Sequence, residues 1–260
     1  MLIGLTHGYD ALRAALGADT PWATQSFLKL VWTIGLPLLL IGLSPKLRAA
    51  SGIAFTRAGD ACKLALRSYS VVGPACAGFA LIGLLGWTFR DWAGSLTLSA
   101  IFSVALALQP RVASDLPTEP SVAPGRPSML VGLLLGAVVT ALISVFAPEA
   151  LPDVLWRALY FVFLVALGEE LFFRGFVQPS LNLVFGRPFA FGGVPFGWGL
   201  PLTAVLFGLI HALLPTPNAW PWMGFTTVGG LILGYIREKD GSLFAPVLLH
   251  AAMDAPLWFM

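Results

Sequence analysis

Apolar residues along this chain do not alternate with polar ones at a period of two or of three to four. They run on in blocks of about twenty, separated by short polar or Pro/Gly-rich stretches. The blocks lie near 27–43, 71–89, 93–109, 128–147, 154–176, 200–214, 220–236 and 243–259. A helix needs about 20 mostly apolar residues to cross the hydrocarbon of a bilayer, and a block apolar on every side has no stripe to present to water. The pattern predicts an all-α membrane protein of about eight transmembrane helices, the third and the last three being short. The opening residues MLIGLTHGYDALRAALGAD lack a basic start followed by a continuous apolar run, so no cleaved signal peptide is expected. His7 reads there as an interfacial or solvent-exposed residue.

Composition sharpens this picture. Only 11% of the 260 residues are charged against 57% hydrophobic ones, and the mean hydropathy is +0.84. A soluble domain covers itself with roughly 25% charged residues, so the lipid bilayer is the chain's principal partner. Disorder, a disulfide scaffold and nucleic-acid binding are excluded; the net charge of +2 has no basic block behind it. Cys62 and Cys76 form neither a disulfide pattern nor a metal-ligand spacing and read as small packing residues.

Loop charges predict an orientation. Arg13, Lys29, Arg90 and Arg157 fall in one set of connections, and the other basic residues, Arg174 among them, fall in the opposite set. Lys and Arg accumulate on the cytoplasmic side, which puts the richer set in the cytoplasm and both termini outside. Two stretches break the apolar rhythm. PRVASDLPTEPSVAPGRP at 110–127 reads as a cytoplasmic linker between an N-terminal transmembrane region, 1–109, and a C-terminal region, 128–260, that carries the catalytic core in its last four to five helices. FGRPFAFGGVPFGWGLP at 185–201 reads as an interfacial loop, with a gate as the sharper alternative. No internal repeat is visible.

Ionisable residues within a span cost about 2.5–3.5 kcal/mol each on insertion scales, so each needs a partner or a task. They concentrate in three apolar runs: Glu169, Glu170 and Arg174 in the fifth, His211 in the sixth, and His250 and Asp254 in the eighth. Glu170 and Arg174 are one helical turn apart and can pair. Glu169, about 100° around the helix, has no obvious local partner. His250 and Asp254 are also one turn apart, so Asp254 can accept from the imidazole and fix its tautomer. Phe207 precedes His211 by a turn and can pack over it. At 1.5 Å per residue, Glu169 and His250 lie about 11 Å, and His211 about 16 Å, from the cytoplasmic ends of their predicted helices, so one level is expected for all three.

Two chemistries fit a carboxylate and two imidazoles at one depth. A desolvated glutamate with a neutral imidazole can activate water and later protonate a leaving amine, while a second imidazole donates to a tetrahedral oxyanion. Alternatively, Glu169, His211 and His250 are a ligand set that zinc accepts, with a position left for water. No His-Glu-x-x-His element supports the metal.

The ordered set Glu169-Glu170-x-x-x-Arg174, Phe207-x-x-x-His211 and His250-x-x-x-Asp254, with its flanking sequences from about 155 to 258, resembles the CPBP intramembrane proteases. These include CAAX prenyl endopeptidases of the Rce1 type and bacterial relatives called Abi proteins. The resemblance implies that Glu169 is the general base, that His211 activates water with it or stabilises the oxyanion, and that His250 belongs to the site. It also implies that Glu170 and Arg174 support the geometry. The family's last motif commonly ends in Asn, where this chain has the charged Asp254. The implied substrate is a membrane-anchored or lipidated protein or peptide, and the cofactor is zinc or none. The expected compartment is a bacterial inner membrane, with the site toward the cytoplasm. Two rivals belong to other classes: a proton-coupled transporter, which would need further polar residues across the first four spans, and a catalytically silent scaffold or immunity protein on the same fold.

Overall fold

The computed structural model describes residues 26, 28–53, 58–118, 128–146, 151–213 and 218–256. Their helices are α1 (Leu30–Leu43), α2 (Pro45–Ala50), α3 (Ala58–Leu84), α4 (Trp92–Val112) and α5 (Ser128–Phe146), followed by α6 (153–185), α7 (Gly199–Ala212), α8 (Met223–Asp240) and α9 (Phe244–Met253). The fold is all-α apart from one antiparallel hairpin, β1 (Phe189–Phe191) with β2 (Val194–Phe196). Two helices, α3 and α4, are long and apolar enough to cross a membrane; α1, α7 and α9 are apolar but shorter. His7, Arg13, Arg57 and the linker beyond residue 118 lie outside the described residues.

Local chemistry sets the helix ends. Ser44 accepts from the backbone N–H of Leu47 at 3.3 Å, and Pro45, which has no N–H to lose, starts α2. Asp91 caps α4 by accepting from Gly94 N at 2.7 Å, with Thr88 N bonded to its other oxygen. Those N–H groups, Gly94 first, hold the Asp91 carboxyl below its ordinary range. Gly241 closes α8 at φ 71°, a left-handed conformation that Gly adopts without a Cβ penalty.

The structure departs from the predicted spans in three places. The fifth span, expected at 154–176, belongs to a helix that begins at Asp153 and carries on through Pro179 to Phe185, ending at Gly186 with φ 72°. Around the Glu169–Glu170 turn this helix winds more loosely, with π-type turns over Tyr160–Ala166 and Leu171–Val177. Such loosened turns recur at functional sites. The 185–201 stretch holds the hairpin rather than an irregular loop, its turn made by Gly192 and Gly193 at positive φ. A side chain on Gly192 would meet the Pro110 ring, so the turn is seated on α4. Finally, the helix carries on past Pro110, expected to open the linker, to Val112.

The apolar packing crosses the expected division between N- and C-terminal regions. One core joins α3 (Leu64, Val72) and α4 (Phe102) to α8 (Ile232, Ile236) and α9 (Leu249). A second joins α1 (Ile34, Ile41) and α6 (Leu164, Leu171) to Val247 on α9 and to Leu243, which caps that helix's start. Helix α9, the carrier of His250, is thus wedged between two cores and held on both sides.

Helices α7 and α8 are the most closely packed pair. A Cβ built on Gly230 would lie 3.1 Å from Ala204 Cα and 3.3 Å from its Cβ. Neither neighbour is a flexible side chain that could yield. A Gly230→Leu variant is expected to lose about 1–3 kcal/mol through overpacking, read as a lower unfolding temperature in detergent.

Candidate active site

Helix α6 supplies the acidic turn. Glu170 and Arg174 are both wholly buried, and Arg174 Nη1 donates to Glu170 Oε1 at 2.8 Å, the pair predicted from their spacing. The guanidinium makes two further contacts that hold it in place. Its Nη2 donates to the backbone carbonyl of Gly230 on α8 at 3.1 Å, and its centre lies 4.5 Å from the Phe207 ring centroid on α7. A planar cation that donates and stacks at once suits Arg, which Lys could not replace here.

The same carboxylate oxygen accepts a second bond. His250 Nδ1 donates to Glu170 Oε1 at 2.8 Å, tying α9 to α6 across 80 residues of sequence. This corrects the role expected of Asp254. Its Oδ2 faces His250 Nε2 at 3.6 Å, an ion-pair separation too long for a hydrogen bond, so the carboxylate that orients the ring is Glu170. The reason is geometric: Asp254 caps the last turn of α9, where its backbone N–H bonds to the His250 carbonyl, and its short side chain stops short of the ring.

His211 is oriented differently. Its Nδ1 lies 2.7 Å from the Phe207 carbonyl, which can only accept, so Nδ1 carries the proton. In the neutral ring Nε2 then offers a lone pair. Phe207 packs against His211 at 4.9 Å between centroids, as its spacing suggested, and also lies 5.9 Å from His250. Trp222 also packs against His211, tilted, at 5.1 Å between ring centroids, a contact the sequence pattern did not signal.

The Glu169 carboxylate interacts electrostatically with His250, His211 and Arg174. It also has the partner that local spacing could not supply. Lys29 Nζ, at the start of α1, lies 3.8 Å from Glu169 Oε1. The other oxygen, Oε2, is buried and finds no hydrogen-bond partner among the described residues. Lys29 had been placed in an outer loop and Arg174 in a cytoplasmic one. Both are helical residues turned to the acidic pair, and neither bears on orientation.

The expected level of the site also changes. Glu169 stands midway along α6, about 24 Å from either end rather than 11 Å from one. His211 and His250 lie about 18 and 9 Å from the starts of their helices, near the expected values. Those helices end at Ala212 and Met253, so both imidazoles sit in last turns.

Residues 151–256 match the family model described as type II CAAX prenyl endopeptidase Rce1-like. This part of the chain is similar to the Rce1-like family. The match contains the Glu169-Glu170, His211 and His250 elements and excludes α1 to α5, which lie within residues 1–150, more than half of the chain. Comparison with curated proteins and with solved structures returned no match.

As a zinc site, the Rce1-like geometry fits poorly. Among the described residues no three His, Cys, Asp or Glu side chains are grouped to hold a metal, although Glu169, His211 and His250 are all described.

Removing one partner of a buried ion pair leaves an uncompensated charge, at about 3–5 kcal/mol. Arg174→Met should therefore abolish accumulation of folded protein. Glu170→Gln/Arg174→Met should recover part of it, measured by size-exclusion yield in detergent.

Proposed function

We propose that the chain is an intramembrane endopeptidase that hydrolyses a peptide bond of a membrane-anchored or lipidated substrate. The observation that carries this reading is the buried Glu169 oxygen without a hydrogen-bond partner, set within electrostatic reach of His211 and His250 inside the Rce1-like segment. A desolvated carboxylate oxygen with no protein donor is a place where a water proton is accepted. His211, protonated at Nδ1 by its bond to Phe207, presents Nε2 to the same water. The two groups share its proton as its oxygen attacks the scissile carbonyl, and the proton is then delivered to the leaving amine. His250, held at Nδ1 by Glu170, directs Nε2 away from that carboxylate, and a proton there stabilises the oxyanion. Asp254, where relatives carry Asn, stands beside that nitrogen and keeps the proton on it. Glu170 and Arg174 serve as the frame that fixes His250.

The protein is further proposed to cross a bacterial inner membrane about eight times, through α1 and α3 to α9, with the basic loops in the cytoplasm. The match to CAAX prenyl endopeptidases supports a substrate carrying a lipid or an anchor.

Replacing Glu169 with Gln preserves shape and removes the base, so purified Glu169→Gln should express and fold normally yet lose cleavage by at least about a hundredfold. Unimpaired hydrolysis by this variant would sink the assignment. Exhaustive chelation followed by metal analysis is expected to leave activity unchanged with substoichiometric zinc. Activity lost on chelation and regained with added Zn²⁺ would instead require a metal mechanism.

A further inference from the structure

We propose that Lys29, on α1 and outside the Rce1-like segment, is a positioning residue for Glu169, so that the N-terminal region completes the site. This rests on Glu169 being the base. Three observations converge on it. Lys29 Nζ lies 3.8 Å from Glu169 Oε1, with both side chains largely withdrawn from solvent. The ammonium also lies 5.6 Å from the Tyr160 ring centroid, a second contact to α6. Finally, the backbones are built for close approach: a Cβ at Gly168, next to Glu169, would collide with Thr33 Oγ1 and come within 3.2 Å of Thr33 Cβ. Thr33 is one turn beyond Lys29 and donates to the Lys29 carbonyl at 2.6 Å. Gly168 thus lets α1 settle against α6 at the level where Lys29 meets Glu169.

Charge balance explains why the site uses a cation from another region. Three carboxylates, Glu169, Glu170 and Asp254, lie close together, and within the matched segment Arg174 is spent on Glu170. His250 lies between Glu170 and Asp254. Lys29 supplies the countercharge for Glu169, and its ammonium contact at Oε1 holds one oxygen while leaving Oε2 without a hydrogen-bond partner among the described residues. An ammonium is a compact point charge and suits a one-sided contact of this kind.

Steady-state cleavage of a lipidated peptide by Lys29→Met and Lys29→Arg, each purified in detergent beside wild type, tests the assignment. Lys29→Met should lose about tenfold or more in kcat with KM within about twofold, and Lys29→Arg should regain most of that loss. A kcat near wild type in Lys29→Met, or equal losses in both variants, would overturn the proposal, since a purely structural role gains nothing from Arg. If Lys29→Met does not accumulate, Lys29→Met/Glu169→Gln decides. Restored yield on removing both charges supports the pairing, and continued failure overturns it. The outcomes stay separate from the parent reading. Cleavage by Glu169→Gln removes the assignment of the base, whereas an inert Glu169→Gln with an unaffected Lys29→Met removes only the role of Lys29.

Discussion

A single carboxylate oxygen, Glu170 Oε1, accepts from both Arg174 and His250, and much of the structure around the acidic turn serves to make that arrangement tolerable. Charges taken from water are stable only when their partners are placed well and their remaining donors are satisfied. Arg174 is therefore braced by the Gly230 carbonyl and the Phe207 face, and α8 and α7 are drawn to α6 by the same side chain. The imidazole that completes the cluster comes from α9, which has apolar cores on both sides. Four helices thus meet at one buried ion cluster. The apolar packing explains why they can stay there, and the cluster explains why they meet in this register.

The division of labour between the two glutamates follows from that constraint. Glu170 takes both Arg174 and His250 on one oxygen and is fixed; Glu169, one position earlier, pairs instead with Lys29 of α1. Adjacent identical residues thereby acquire different environments, one bonded to two partners on α6 and α9 and the other paired across to α1. The loosened winding on either side of this turn accompanies the arrangement, in a helix otherwise regular enough to continue to Phe185.

The ionisable residues of the site were legible in the sequence because a charge within an apolar block is conspicuous, and the Glu170–Arg174 pair because both members share one helix face. His250 was legible as a residue but not in its partnership. Its spacing favoured Asp254, whereas its bond to Glu170 depends on how α9 docks on α6, and no local periodicity encodes that. Lys29 was hidden for a related reason: standing near the edge of an apolar block, it reads as a loop charge until Gly168 and Thr33 bring α1 into contact. The all-α class followed from the length of the apolar blocks. The hairpin did not, because three-residue strands in a Gly/Pro-rich stretch leave almost no alternation to detect.

The brevity of α7 and α9 matters beyond the residues they carry. Fourteen and ten residues make rods of about 21 and 15 Å, against roughly 30 Å of hydrocarbon in a bilayer. Lipid around so short a rod must thin, or the polar surface must dip inward to meet its end. Since His211 and His250 occupy those ends, the mismatch itself brings headgroups and water toward the imidazoles. The proposed hydrolysis would then require no long aqueous channel, since a bilayer around these helices would be thinner at the ends that carry the imidazoles.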